Sequence, residues 1–305
     1  MSNLYITLQR PGVVAATHSG SFHADDVLAA ATLRMVNSAL TILRTRDKDQ
    51  LEAADILFDV GRVFDSATCR FDHHQLDYTE ARKNNIPYSS FGLVWRELGA
   101  ELCESAAAAA RVDRWLVQGV DAMDCGITLS KETLPVTLMS ISTVLGGFNP
   151  GWQDVTSNEA RYEAFERAVS MATIILKNTI RDANGFEKAR TAVAQGALLE
   201  AGKLLLLEHD VPWKDAVFGS PEYEHLLYVI YPDAQIKWHV TAVPDRAGSF
   251  NNRKSLPLAW AGLDGEELDA VIGMKGCVFC HRGRFVAGHQ TKDGALEMAR
   301  LALRD

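Results

Sequence analysis

Three short apolar runs in the first quarter of the chain each end in histidine or aspartate, and this restricts the folds open to it. VVAAT (13–17) runs into THSGSFHADD, which carries His18, His23, Asp25 and Asp26. ADILFDVG places Asp59 near the end of the apolar stretch 55–60, and CRFDHHQ begins as a third run that stops at Asp72, His73 and His74. Such runs read as buried strands, whereas VLAAATLRMV, after Asp25, has helical period and helix-forming composition. In open α/β sheets, ligands sit outside the carboxyl ends of the strands. The three clusters are therefore expected to converge on one sheet edge.

Four of the nine histidines lie in these clusters, so their grouping needs a chemical reason. Imidazoles mixed with carboxylates, with no thiolate in the same run, suit a hard-to-borderline divalent ion such as manganese, iron or zinc. Two such ions about 3.5–4 Å apart clamp a phosphoryl oxygen and acidify water for in-line attack. A single His beside an Asp is usually a surface pair or a satisfied core histidine. Three clusters in the order His…Asp, Asp, Asp-His-His argue instead for a pair of metals and hydrolytic chemistry.

The order of motifs resembles the DHH phosphoesterase superfamily. THSGSFHADDVLAAATL, DVGRVFD, FDHHQ, VDAMDCG and the late HRGRFVAGHQTKDGALEMA are similar to its melanocyte-proliferating-gene (Myg-type) branch, described as manganese-dependent exonucleases. The resemblance spans nearly the whole chain. It implies metal ligands at His18, His23, Asp25, Asp59 and His73, with Asp59 bridging the two ions and Asp26 behind the first layer of ligands. His23 stands where the superfamily usually has a carboxylate. The resemblance further implies that His74 faces the scissile phosphate while Asp72 orients the histidines. The last ligand should come from DAMDCG, where Asp121 and Asp124 face the same side of any helix and both stay open.

Composition fits a globular enzyme. At 305 residues and 47% hydrophobic content the chain can bury a large core, and two domains are expected, 1–150 and 151–305. The net charge of −8 gives no global attraction to nucleic acid, so a polyanionic substrate must be held by metals and a local basic patch. No apolar run approaches the ~20 residues of a membrane span. The opening MSNLYITLQRPG has no signal or presequence pattern, which leads us to expect a cytoplasmic protein with reduced cysteines. Cys277, Cys280 and His281 spell the C-x-x-C-H of haem attachment. They sit in GCVFCHRGRFVAG, which reads as two strands about a tight turn, so buried thiols are expected and haem is not.

The fold class expected is α/β: a largely parallel N-terminal sheet with flanking helices, a helical connector and a smaller C-terminal α+β domain. Residues 89–102 and 106–123 read as paired helices, and GGFNPGWQ (146–153) as the loop dividing the halves. A helix carrying Tyr162, Phe165, Val169, Ala172, Leu176 and Ile180 and a second from about Phe186 to Leu207 form the connector. The last third returns to strands and closes on the amphipathic DGALEMARLAL. There Arg253, His281 and His289 are the candidate substrate contacts; Gly288-His289 resembles the superfamily's glycine-histidine signature.

The expected activity is metal-assisted phosphodiester hydrolysis, with two manganese ions or magnesium, cobalt or iron in their place. The resemblance implies a single-stranded RNA or oligonucleotide shortened from its 3′ end, and no membrane partner; a homo-oligomer is open. Three other readings remain. The same centre could cleave pyrophosphate, a short oligonucleotide or a cyclic dinucleotide; the chain could be a non-catalytic nucleotide-binding module; or it could carry haem.

Overall fold

The computed structural model describes residues 1–130, 136, 138–154, 157–233 and 237–305. They form two compact units, Met1–Asn184 and Gly185–Asp305. The first begins with α1 (Asn3–Leu8) and then alternates: β1 (Val14–Thr17), α2 (Ala24–Val36), β2 (Thr41–Arg44), α3 (Lys48–Ala53), β3 (Ile56–Phe58). Two short strands, β4 (Phe64–Asp65) and β5 (Arg70–Phe71), complete a sheet in the order β2-β1-β3-β5-β4. β2, β1, β3 and β5 are parallel, while β4 pairs antiparallel with β5.

These strands are apolar on both faces because both are covered. Ala15, Ile56, Phe58 and Phe71 join the main core with Val27, Leu28 and Phe91. Alternate positions Ala16 and Leu57 turn to a smaller core with Ala54, Val60 and Leu51 of α3. The main core is completed by α4 (Ser90–Leu102), α5 (Ala106–Val112), α6 (Gln118–Asp124) and α7 (Ile141–Gly146), with a π-helical turn, Asp113–Val117, joining α5 to α6.

Two boundaries differ from those expected. The units divide at Asn184, inside the 37-residue α8 (Asn158–Ala194), and not at the 146–153 loop. The reason is the apolar stripe: Phe165, Val169, Ala172, Leu176 and Ile180 are buried in the first unit's core, which makes most of α8 part of that unit. The second expected helix, to Leu207, is also wrong. α8 ends at Ala194, and β6 (Ala197–Leu199) and β7 (Leu204–Leu206) follow about a turn with positive φ at Glu200, Ala201 and Gly202. Leu204 and Leu206 bury in one core, Leu205 and Leu207 in another, so two-sided burial selects a strand where local propensity was ambiguous.

The second unit continues with α9 (Trp213–Phe218), β8 (Tyr228–Asp233), β9 (Lys237–Ala242), α10 (Gly265–Ile272), β10 (Cys277–Cys280), β11 (Val286–His289) and α11 (Lys292–Arg304). Its sheet runs β10-β11-β9-β8-β7-β6, antiparallel except between β7 and β8. Among the described residues, no helix is long and apolar enough to cross a membrane.

Candidate metal centre

β1, β3 and β5 end side by side, and the residue that follows each begins the site. His18 follows β1, Asp59 follows β3, and Asp72, His73 and His74 follow β5. Asp59 takes a left-handed backbone, φ 54°, which is uncommon outside glycine and clusters at functional positions. Its N–H still donates to the Phe71 carbonyl at 3.2 Å, so the turn is held by the neighbouring strand while the carboxylate swings into the cluster.

There Asp59 meets histidines from both sides. Its Oδ2 lies 3.1 Å from His18 Nε2 and its Oδ1 3.5 Å from His73 Nε2. Burial works against its charge, but the two imidazoles outweigh burial and hold the carboxyl well below the usual range. His18 Nδ1 is 3.2 Å from the Ser19 carbonyl, which can only accept; Nδ1 therefore carries the proton and Nε2 is left for the cluster.

α2 supplies the neighbouring carboxylates. Asp26 Oδ1 accepts the His23 N–H at 2.9 Å across the start of the helix, and its Oδ2 is 3.4 Å from His18 Nε2. Asp26 thus supports His23 and His18, and among the described residues none of the groups that could hold a metal ion includes it. Asp25 is more isolated: both oxygens are buried without a hydrogen-bond partner, and Oδ2 is 3.8 Å from His73 Nε2. Burial first, then the charges of Asp59, Asp124 and Asp26, raise the Asp25 carboxyl well above its usual range. Burial likewise pushes Asp26 up to about 7.

Uncompensated buried carboxylates are costly, and native proteins keep them where a cation binds or a proton does work. Four overlapping groups could each hold a metal ion, their ligand atoms within 4.8 Å of one another: His18, His23 and Asp59; Asp59, Asp72, His73 and His74; His73, Asp124 and Cys125; His23, Asp25 and Asp124. Asp59 is shared by the first two, as a bridging carboxylate would be. The orphaned oxygens of Asp25, with His73 Nε2 converging on Asp59 and Asp124, give this set the donors a hard-to-borderline cation needs.

Of the alternatives left open, Asp124 reaches the site, its Oδ2 3.2 Å from His73 Nε2. Asp121 does not. It is buried against α4, where it accepts from Ser89 Oγ at 2.7 Å and Gly92 N–H at 3.1 Å and pairs with Arg82 at 2.8 Å. Asp72 is saturated: Oδ1 takes the His73 N–H at 2.7 Å and His74 Nδ1 at 2.8 Å, and Oδ2 takes the Arg62 N–H at 2.6 Å. It fixes the loop and aims His74, whose side chain is 57% exposed.

Two cavities meet this cluster. One, of about 220 Å³, is lined by His18, His23, Asp59, His74, Arg46 and Arg62; the other, of about 210 Å³, by His23, Asp25 and Asp124 with Phe22 and Met123. Sequence reading missed Cys125, 3.9 Å from His73 Nδ1, and Ser90, whose Oγ is 3.5 Å from Asp59 Oδ1. Cys125 directly follows Asp124, and that adjacency is the one local signal for it; nothing local marks Ser90. Arg46 was missed too, although R-T-R at the end of a strand puts Arg44 and Arg46 on one face.

In the second unit, Arg253 Nη1 donates to the carbonyls of Tyr223, Glu224 and Leu226 at 2.5, 2.9 and 3.0 Å. His289 is buried: its Nδ1 accepts the Thr291 N–H at 3.0 Å and its Nε2 donates to the Lys275 carbonyl at 3.1 Å. Gly276 and Gly294 leave room for that ring. His281 is exposed and stacks on Phe285 with ring centroids 4.4 Å apart. Cys277 and Cys280 are core residues on β10, and burial pushes their thiols up to about 12 and about 11.

A parallel-rich α/β sheet with an imidazole–carboxylate cluster at its carboxyl edge defines a protein with a candidate metal centre. The chain belongs to the MYG1 exonuclease family: that family's model, described as an uncharacterised protein family (UPF0160), matches residues 14–303. A MYG1 exonuclease of Bos taurus is 32% identical over 320 residues, covering 94% of this chain and 84% of the relative. A MYG1 protein of Schizosaccharomyces pombe is 33% identical over 318 residues, covering 95% and 97%. The MYG1 exonuclease of Homo sapiens is 32% identical over 321 residues, covering 94% and 85%. These relatives support a nuclease-like enzyme.

Proposed function

We propose that this chain is a DHH-type, metal-dependent exonuclease that hydrolyses single-stranded RNA or oligonucleotides from the 3′ end, with manganese as its metal. One observation carries the reading: the Asp25 carboxylate, buried with neither oxygen partnered, stands beside Asp59, Asp124 and three histidines in a chain whose relatives are named exonucleases. His18, His23, Asp25, Asp59, His73 and Asp124 would hold two ions, with Asp26 supporting His23 and His18. When bound, divalent cations supply Lewis-acid stabilisation of phosphoryl charge and acidify water.

The protein's own groups do the rest. Asp59, kept ionised by His18 and His73, is poised to bridge the two positions. Asp72 holds His74 by Nδ1 and leaves Nε2 to bond a phosphoryl oxygen as charge develops on it. In the second unit, His281 is the substrate contact we favour, because it is exposed while Arg253 and His289 are committed to backbone carbonyls. All five cysteines are unpaired, which agrees with action in the cytoplasm.

The test is a panel of 5′- and 3′-labelled oligonucleotides, pyrophosphate and cyclic dinucleotides, incubated with metal-depleted protein and added manganese. The expected result is a ladder shortened from the 3′ end, abolished by chelation and by Asp59→Asn in a folded variant. Phosphate release from pyrophosphate alone would move the reading to a small-substrate phosphohydrolase, and full turnover by chelated protein would end the metal mechanism.

A further inference from the structure

Next to the metal cluster lies a third cavity, of about 600 Å³, lined by Ser19, Gly20, Arg44, Arg46, Arg161 and Tyr162 among others. Arg46 also lines the metal-site cavity, and Ser19 follows His18 directly, so the two spaces adjoin. Arg44 is held in place: its guanidinium lies 5.3 and 4.8 Å from the ring centroids of Phe22 and Phe165, and Nη2 donates to the Gly20 carbonyl at 2.9 Å. Its Nε is buried without a partner.

Like charges have been brought together here. Burial and the neighbouring Arg161 both lower the Arg44 pKa, and the carboxylate that offsets them is Asp26, itself part of the metal cluster. Among the described residues, none of Arg44, Arg46 and Arg161 forms an ion pair, although Glu159 and Glu163 line the same cavity. The start of α8 also faces this space through Asn158 and Glu159. Part-buried Arg44 and Arg161 and exposed Arg46 thus turn toward one cavity, with Arg44 Nε buried and unpartnered, an arrangement that an anion in the gap would satisfy.

We propose that this cavity is a backbone subsite, in which Arg44, Arg46 and Arg161 hold phosphates of the nucleic-acid strand next to the linkage being cut. The inference rests on the phosphodiesterase reading above and makes it more specific: the preferred substrate is a chain long enough to carry phosphates beyond the scissile one. Guanidinium groups match phosphate through paired hydrogen bonds, and a volume of this size lies in the ordinary range for ligand pockets. Base identity plays no part in such contacts.

The experiment compares wild type, Arg161→Gln and Arg44→Gln/Arg161→Gln, with thermal melts as the check on folding. A fluorescent single-stranded pentanucleotide is titrated in chelator at several salt concentrations, and manganese-supported cleavage of the pentanucleotide is set against that of a dinucleoside monophosphate, which has no flanking phosphate. Arg161→Gln should weaken pentanucleotide binding about tenfold, the loss of one charge-assisted hydrogen bond, and flatten the salt slope by about 0.7. Its KM for the pentanucleotide should rise alike, with dinucleotide cleavage within about twofold of wild type. Because Arg44 packs on Phe22 and Phe165, Arg161→Gln alone decides the matter if the double variant melts early. Unchanged pentanucleotide binding, no binding by wild type, or an equal KM rise on the dinucleotide would each overturn the subsite. Arginine-dependent binding without any cleavage would keep the subsite and overturn the hydrolytic reading.

Discussion

Replacing Asp26 by asparagine should make the metal-free protein more stable while weakening its hold on metal about 10–100-fold. Asp26 is fully buried, and its carboxyl is pushed up to about 7 by that burial. In the unfolded chain the same group titrates near 3.9. Between those values the folded protein binds the extra proton, so wild-type stability from this group falls as pH rises from about 4 to about 7 and then levels off. Three pH units correspond to about 4 kcal/mol. Asparagine has no proton to lose and keeps the acceptor for the His23 N–H. After the lost attraction to His18 is discounted, a gain of about 2–4 kcal/mol remains at pH 8 in chelator, or roughly 4–16 °C in melting temperature. Near pH 4 the gain should vanish. The assay is thermal unfolding at both pH values, with and without manganese, and manganese should stabilise wild type more than the variant. A variant no more stable than wild type at pH 8, or equally stabilised at pH 4, would refute the claim that this carboxylate is stored strain awaiting a cation.

Other consequences are separable. Metal must displace the protons that Asp25 and Asp26 retain, so affinity should climb with pH through about 7 and binding should release protons; calorimetry in buffers of different ionisation enthalpy checks this, and pH-independent affinity between about 6 and 8 would contradict it. Asp121→Ala should cost about 3 kcal/mol by breaking the buried pair with Arg82, with metal content unchanged; loss of metal at full stability would put Asp121 back among the ligands. Gly294→Ala should destabilise through overlap of the new methyl with the His289 ring, seen as an earlier melt of the second unit. Arg253→Ala strips donors from three carbonyls, so a stability loss of about 2 kcal/mol is expected before any change in KM.

What the sequence by itself determined is the site's raw material and its edge. Apolar runs ending at His18, Asp59 and Asp72 are local patterns, and strand alternation with carboxyl-end clustering follows from backbone geometry alone. Helix α2 and helix α4 were legible for the same reason, their periodicity being a property of neighbouring residues. What only the tertiary structure decided are the matters set by distant packing. Asp121 and Asp124 are three residues apart on one helix, and it is Arg82, Ser89 and Gly92 from other segments that draw one away from His73 and leave the other beside it. The same holds for α8, assigned to the first unit by the core its stripe meets, and for 204–207, made a strand by burial on both faces. Arg44 and Arg161 lie more than a hundred positions apart. Their shared cavity exists only because β2 ends near the start of α8, and no local pattern encodes the approach of two like charges across a fold.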